Sequence, residues 1–142
     1  MNALALIDKY YPQDNELKHI LLTHSRSVAD KALWIADRHP ELQLDKQFLE
    51  EAALLHDIGV FLTDAPGIHC HGTHPYICHG YLGAELMRKE GFERHALVCE
   101  RHTGAGLSLK GRPKKIGLGK MNSAIPKTVR RISRSARPST PP

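Results

Sequence analysis

The stretch Glu51-Ala52-Ala53-Leu54-Leu55-His56-Asp57-Ile58-Gly59-Val60 decides how the chain is read. An apolar run of helix formers reaches a histidine and a carboxylate side by side, and a glycine follows two residues later. Gly59 suits the left-handed position just past a helix end, so His56 and Asp57 are expected to project from the last turn, where the backbone breaks. Imidazole and carboxylate are both ligands for first-row metals. A bare His-Asp pair is also what an ordinary solvated helix end looks like. Here the residues before it read as buried, and an unpaired charge at that depth is costly. A bound cation would remove the cost.

Working outward, the pattern is helical. A short helix is expected over residues 2–10, ending before Pro12. Asp14 can cap a longer one that puts Leu17, Leu21, His24, Val28, Ala32 and Ile35 on one side, in steps of three and four. His19 lies off that stripe, and His39, beside Pro40 at the helix end, reads as solvated. Asp45 caps the helix that runs through Phe48, Ala52 and Leu55 to the His-Asp pair. Residues 60–74 read as a loop, after which Pro75 opens a helix at its first turn and Gly91 stops it. His79, Leu82 and Leu86 share the inner side of that helix, and Gly80 and Gly83 allow a close backbone approach. A last helix over residues 93–102 places Val98 and His102 on one face. The expected class is all-α.

The charge is divided. Residues 1–100 carry nine Lys and Arg against fifteen Asp and Glu, whereas residues 101–142 carry eleven basic residues and no acidic one. The net charge of +5 therefore describes an acidic domain with a basic tail, and it does not argue for a basic nucleic-acid-binding domain. After Leu109, glycines and prolines punctuate Lys, Arg and Ser with no sustained period, which reads as disordered. The domain is taken as residues 1–109 and the tail as 110–142. Cys70, Cys78 and Cys99 form no C-x-x-C pair, which argues against a disulfide scaffold or a cysteine zinc site and suits a reducing cytoplasm. The first residues lack the basic and long apolar regions of a signal peptide, and no run approaches a membrane span. The expectation is a cytoplasmic protein without a membrane partner.

His24, His56, Asp57, His79 and His102 each fall on the core side or at the end of an expected helix. Any one alone reads as an ordinary hydrogen-bonded core histidine. Four buried imidazoles and a carboxylate together need a shared partner. The His-Asp-Ile-Gly motif, with one histidine on an earlier helix and two on later helices, resembles the HD-domain metal-dependent phosphohydrolases over about residues 17–109. The resemblance implies a compact helical bundle in which His24, His56 and Asp57 hold one metal. Asp57 would bridge to a second held with His79 and His102, and His56 and Asp57 would be central to catalysis. Mixed nitrogen and oxygen ligation suits one or two divalent transition metal ions, with iron or manganese favoured over zinc, nickel, cobalt or magnesium. Such ions would acidify a bound water to a pKa of roughly 7 and clamp phosphate oxygens. The implied substrate is a small-molecule phosphoester, a nucleotide or a relative of one.

The same family usually supplies a further aspartate ligand after the last histidine. Here the last Asp is Asp64 and the last Glu is Glu100. Either water or a nearby acid completes the site, or the C-terminal segment has been replaced, as a shift of reading frame near Lys110 would do; the acid-free composition favours replacement. This leaves two competing readings. One is an HD-type metal- or nucleotide-binding module that has lost turnover, and the other is a nucleic-acid binder acting through the tail. The tail offers charge but no aromatic residue for stacking, so a solvated tail is the preferred reading and no nucleic-acid partner is expected. His69, His71 and His74 are either plain surface-loop residues or a phosphate-binding rim beside the metals. Asp64, before Ala-Pro-Gly, reads as a turn residue.

Overall fold

The computed structural model describes residues 1–103; the expected basic tail over 110–142 lies outside the described residues. Five helices carry the fold: α1 (Ala3–Tyr10), α2 (Glu16–Arg38), α3 (Lys46–Leu55), α4 (His79–Lys89) and α5 (Glu93–His102). Asn2 caps α1 through a bond from the Ala5 N–H, 3.0 Å. Asp45 caps α3 as expected, accepting from the Phe48 N–H at 3.0 Å. For α2 the cap is Asn15, which accepts from the Lys18 N–H at 3.0 Å, and not Asp14. The two residue types cap equally well, so only the exact start of the helix could choose between them.

α2 packs along α3, and α4 along α5. Ile7, Leu21, Ala29, Leu54, Leu55, Ile58, Ala84, Met87, Ala96 and Cys99 belong to one core. Small residues, Ala29, Ala84, Ala96 and Cys99, stand there among larger aliphatic side chains. The buried stripe of α2 is Leu21, Ser25, Ala29 and Ala36. It is turned by about one residue from the expected stripe, whose Leu17 and Val28 still pack part-buried against the core. His24 and Ile35 consequently sit on its margin and are exposed.

The helical class holds, with a local correction. Residues 60–75, expected as loop followed by a helix start, contain three very short strands: β1 (Thr63–Ala65), β2 (Cys70–His71) and β3 (His74–Pro75). They form a sheet of order β2-β1-β3, with β1 antiparallel to β2 and parallel to β3. Pro75 ends an edge strand, a place that tolerates the missing N–H, and α4 begins four residues later after a 3-10 turn, Tyr76–Cys78. Two- and three-residue strands are too short to leave an alternating pattern. No described helix is long and apolar enough to cross a membrane.

Gly59 needs a second correction. Its φ is −82° and ψ is −3°, ordinary right-handed values, so it does not end α3 by a left-handed turn. It is there for space. A Cβ on Gly59 would lie 2.5 Å from the His79 carbonyl oxygen and would overlap the Gly83 backbone. The glycine therefore lets the turn after Asp57 lie directly against α4. Gly91 does take the left-handed conformation, φ +86°, and stops α4 as expected. The turn is held from the other side by buried Tyr11, whose hydroxyl donates to the Ile58 carbonyl at 2.8 Å.

Candidate metal centre

Four helices and one turn bring together the five side chains singled out in the sequence. His24 comes from the middle of α2, and His56 caps the C-terminus of α3 with Asp57 next to it. His79 is the first residue of α4 and His102 the last of α5. Asp57 is their common centre. Its Oδ2 lies 3.2 Å from His24 Nε2 and 3.1 Å from His56 Nε2. Its Oδ1 lies 3.1 Å from His79 Nε2 and 3.0 Å from His102 Nε2. The imidazoles also meet in pairs, His24 with His56 at 3.3 Å and His79 with His102 at 3.2 Å between Nε2 atoms. His24, His56 and Asp57 make one group of donor atoms with metal-site spacing, and Asp57, His79 and His102 make the other.

Local backbone geometry sets the protonation of three rings. His56 Nδ1 lies 2.6 Å from the Ala53 carbonyl, His79 Nδ1 2.6 Å from that of Tyr76, and His102 Nδ1 2.7 Å from that of Cys99. A carbonyl can only accept, so each Nδ1 carries its proton and donates it. Ala53 and Cys99 belong to the last turns of α3 and α5, where carbonyls lack helical partners. In the neutral ring, Nε2 is then a lone pair aimed at the cluster, the tautomer that metal-binding histidines use. Lone pairs on imidazoles and carboxylate thus face one another at 3.0–3.3 Å. Such an arrangement repels itself unless a positive charge sits within it. The C-termini of α3 and α5, which carry His56 and His102, add to the demand for a cation.

The electrostatics agree. Without a metal ion a proton on Nε2 can supply the missing charge: burial favours the neutral form of Asp57, but hydrogen bonds from His102, His56 and His79 in their protonated form outweigh it and hold the carboxyl far below its ordinary range. Burial alone would lower the pKa of His56, yet the bond to and charge of Asp57 raise it. His79 is raised against its burial in the same way. His56 and His79 are buried, at 8% and 7% exposure, whereas the His24 side chain is 55% exposed. The centre is therefore open on the α2 side, where a shallow groove of about 430 Å³ is lined by His19, Ile20, Thr23, His24 and Ser27. The donor chemistry, the tautomers and the facing lone pairs all fit a divalent ion in each group.

His69, His71 and His74 are not joined to this centre. All three are exposed. His69 sits in a left-handed turn, φ 61°, and His71 lies on β2 opposite Asp64. His74 Nδ1 points to the Leu62 carbonyl at 3.2 Å. Glu100, the last acid of the chain, accepts from Arg88 at 2.7 Å and is committed there. Asp57 is the one carboxylate of the centre among the described residues.

Two relevant residues were missed in the sequence. His95 is buried on α5 and pairs with Glu51 at 3.0 Å; its position seven residues before His102, on the same helix face, was the available signal. Tyr76 places its ring 4.5 Å from that of His79, tilted by 32°, with no periodicity in the short turn to announce it.

Comparison with known proteins bears on the same span. The family model described as HD domain matches residues 21–134. An uncharacterized protein of Methanocaldococcus jannaschii is 36% identical over 91 residues, covering 62% of this chain and 47% of that one. A tRNA (cytidine(56)-2'-O)-methyltransferase of Picrophilus torridus is 30% identical over 131 residues, covering 85% of this chain and 34% of that protein. The chain thus spans half or less of the length of these curated relatives. No solved structure matches.

Proposed function

The chain belongs to the HD domain family, and from that premise we propose that it is a metal-dependent phosphohydrolase that cleaves a phosphoester of a nucleotide or related small molecule. The observation that carries this reading is the set of four Nε2 atoms converging at 3.0–3.2 Å on the two oxygens of one carboxylate. His24, His56 and Asp57 would hold one divalent ion, and Asp57, His79 and His102 a second, with iron or manganese favoured. An ion held there supplies Lewis acidity, lowering the pKa of water to about 7 and neutralising charge on phosphate oxygens.

The remaining work belongs to the chain. Asp57 faces His24 and His56 with one oxygen and His79 and His102 with the other, and so would offer one oxygen to each group. The Ala53, Tyr76 and Cys99 carbonyls fix the tautomers of His56, His79 and His102. The packed side of the centre keeps water away from His56 and His79, while the exposed edge at His24 admits a substrate beside the α2 groove.

A second reading is favoured by one feature: no Asp or Glu follows Glu100, although the family match runs on to residue 134. The chain would then hold metal or nucleotide without turnover, as a regulatory module. The methyltransferase activity named for the Picrophilus relative is not carried across, since this chain spans only a third of that protein. Release of phosphate or nitrophenol from a generic ester, dependent on Mn²⁺ or Fe²⁺ and abolished by His56→Ala and by Asp57→Ala, supports the hydrolase. Bound metal without any release supports the module. Protein that holds no metal excludes the hydrolase and leaves only a nucleotide-binding module.

A further inference from the structure

We propose that Tyr76 determines substrate specificity at this centre, serving as a stacking platform for a planar aromatic group attached to the phosphoester, and the proposal rests on the phosphohydrolase reading above. The ring is 47% exposed although it is a large aromatic side chain next to a buried site. One face is already covered by the His79 imidazole, 4.5 Å away between centroids. The exposed part of the ring thus borders the group formed by Asp57, His79 and His102.

Its backbone leaves little freedom. On one side β3 pairs with β1, Thr63 opposite His74 and Asp64 opposite Pro75. On the other, the Tyr76 carbonyl accepts the His79 Nδ1 proton at 2.6 Å. An aromatic ring held in place before a ligand arrives loses little entropy when one stacks on it. The centre's other resources do not recognise an organic group: its donor atoms all face Asp57, and among the described residues no Lys or Arg pairs with that carboxylate. Tyr76 supplies a π-face, and such faces take any nucleobase or aryl ring with little regard to its hydrogen-bonding edge. The substrate class is therefore an ester whose phosphate lies close to a flat ring. A nucleotide and an aryl phosphate share that chemistry, and a polyol phosphate lacks it.

The test uses the full chain loaded with Mn²⁺, as wild type, Tyr76→Ala and Tyr76→Phe, and measures equilibrium binding and hydrolysis of AMP, phenyl phosphate and glycerol phosphate. Tyr76→Ala is expected to weaken binding and raise KM for AMP by about tenfold, the size of one base–aromatic stack, with kcat within about twofold. Tyr76→Phe should match wild type. Glycerol phosphate should be indifferent to both variants, and bound metal should be the same in all three proteins. Weakening of AMP alone assigns the platform to nucleotides, and weakening of phenyl phosphate as well assigns it to aromatic esters in general. Equal binding of all three esters by wild type and Tyr76→Ala overturns the proposal, as does metal loss in Tyr76→Ala, which would make the ring a mere support for His79. Wild type that binds AMP through Tyr76 but hydrolyses no ester contradicts the hydrolase reading and leaves the platform standing.

Discussion

His95 and Glu51 meet one to one, whereas Asp57 meets four imidazoles. In the first grouping, a buried histidine on α5 pairs with a carboxylate on α3 at 3.0 Å, edged by the rings of Phe48 and Phe92. Glu51 takes a further bond from Gln47 at 3.1 Å. Against its burial, these bonds hold its pKa below the ordinary value. Every charge there has a partner, and nothing more is required. In the second grouping one carboxylate faces four Nε2 atoms, and three of those rings already spend the single proton of their neutral form on carbonyls, leaving none for Asp57. Burial of histidine beside an acid therefore marks a site only when donors and acceptors fail to balance. The first pair is ordinary core chemistry; the second has the donor spacing that could hold metal ions.

Removing each carboxylate gives the sharpest contrast. Asp57→Ala should abolish ester hydrolysis, a loss beyond the about 10–100-fold typical of removing a supporting outer partner. Glu51→Ala should leave turnover within a few-fold, as initial rates with Mn²⁺ would show. Loss of activity in both variants would erase the distinction.

Gly59→Ala should come next. The added methyl meets the His79 carbonyl oxygen at 2.5 Å, so α3 and α4 must separate, at a cost of about 1–3 kcal/mol and with weakened metal retention. Glu51→Ala should cost a similar about 1–3 kcal/mol, from an unpaired buried His95, but keep its metal. Urea unfolding beside metal analysis distinguishes them: both lose stability and only Gly59→Ala loses metal.

A smaller effect lies in pH. His56 and His79 have folded pKa values raised above the ordinary 6.5. Their contribution is complete below about 6.5 and is lost as pH rises through the folded values. The metal-free protein should thus be less stable at pH 8.5 than at pH 6. Metal binding requires neutral imidazoles and strengthens with pH, so ligand-linked stabilisation by Mn²⁺ should grow over the same interval. Denaturation midpoints with and without chelator would reveal equal slopes if the cluster held no ion. The smallest change is expected for His71→Ala and His74→Ala, exposed and unconnected to Asp57: stability within about 0.5 kcal/mol and unchanged metal content.

Much of the helical frame could be read from spacing. The Asp45 cap and the stop at Gly91 are local chemistry and stand where expected, and the five candidate ligands converge because each lies on a helix with a clear apolar side or at its end. What spacing could not convey is distance. Gly59 looked like a helix terminator, yet its role is an approach to α4 that no local signal records. The α2 stripe was turned by one residue because the partner surface, not the helix, chose it. The sheet over residues 63–75 has strands shorter than one alternation. His95 went unnoticed because Glu51, its partner, lies 44 residues away in sequence, while Tyr76 matters only through the ring that folding sets beside it.

Elemental analysis of the purified full chain, with Asp57→Ala beside it, tests the central claim most directly. The account predicts one or two divalent transition-metal ions per wild-type chain, and none bound by Asp57→Ala. Wild-type protein that carries no such ion, takes up neither iron nor manganese when offered, and melts at the same temperature with or without them would contradict it.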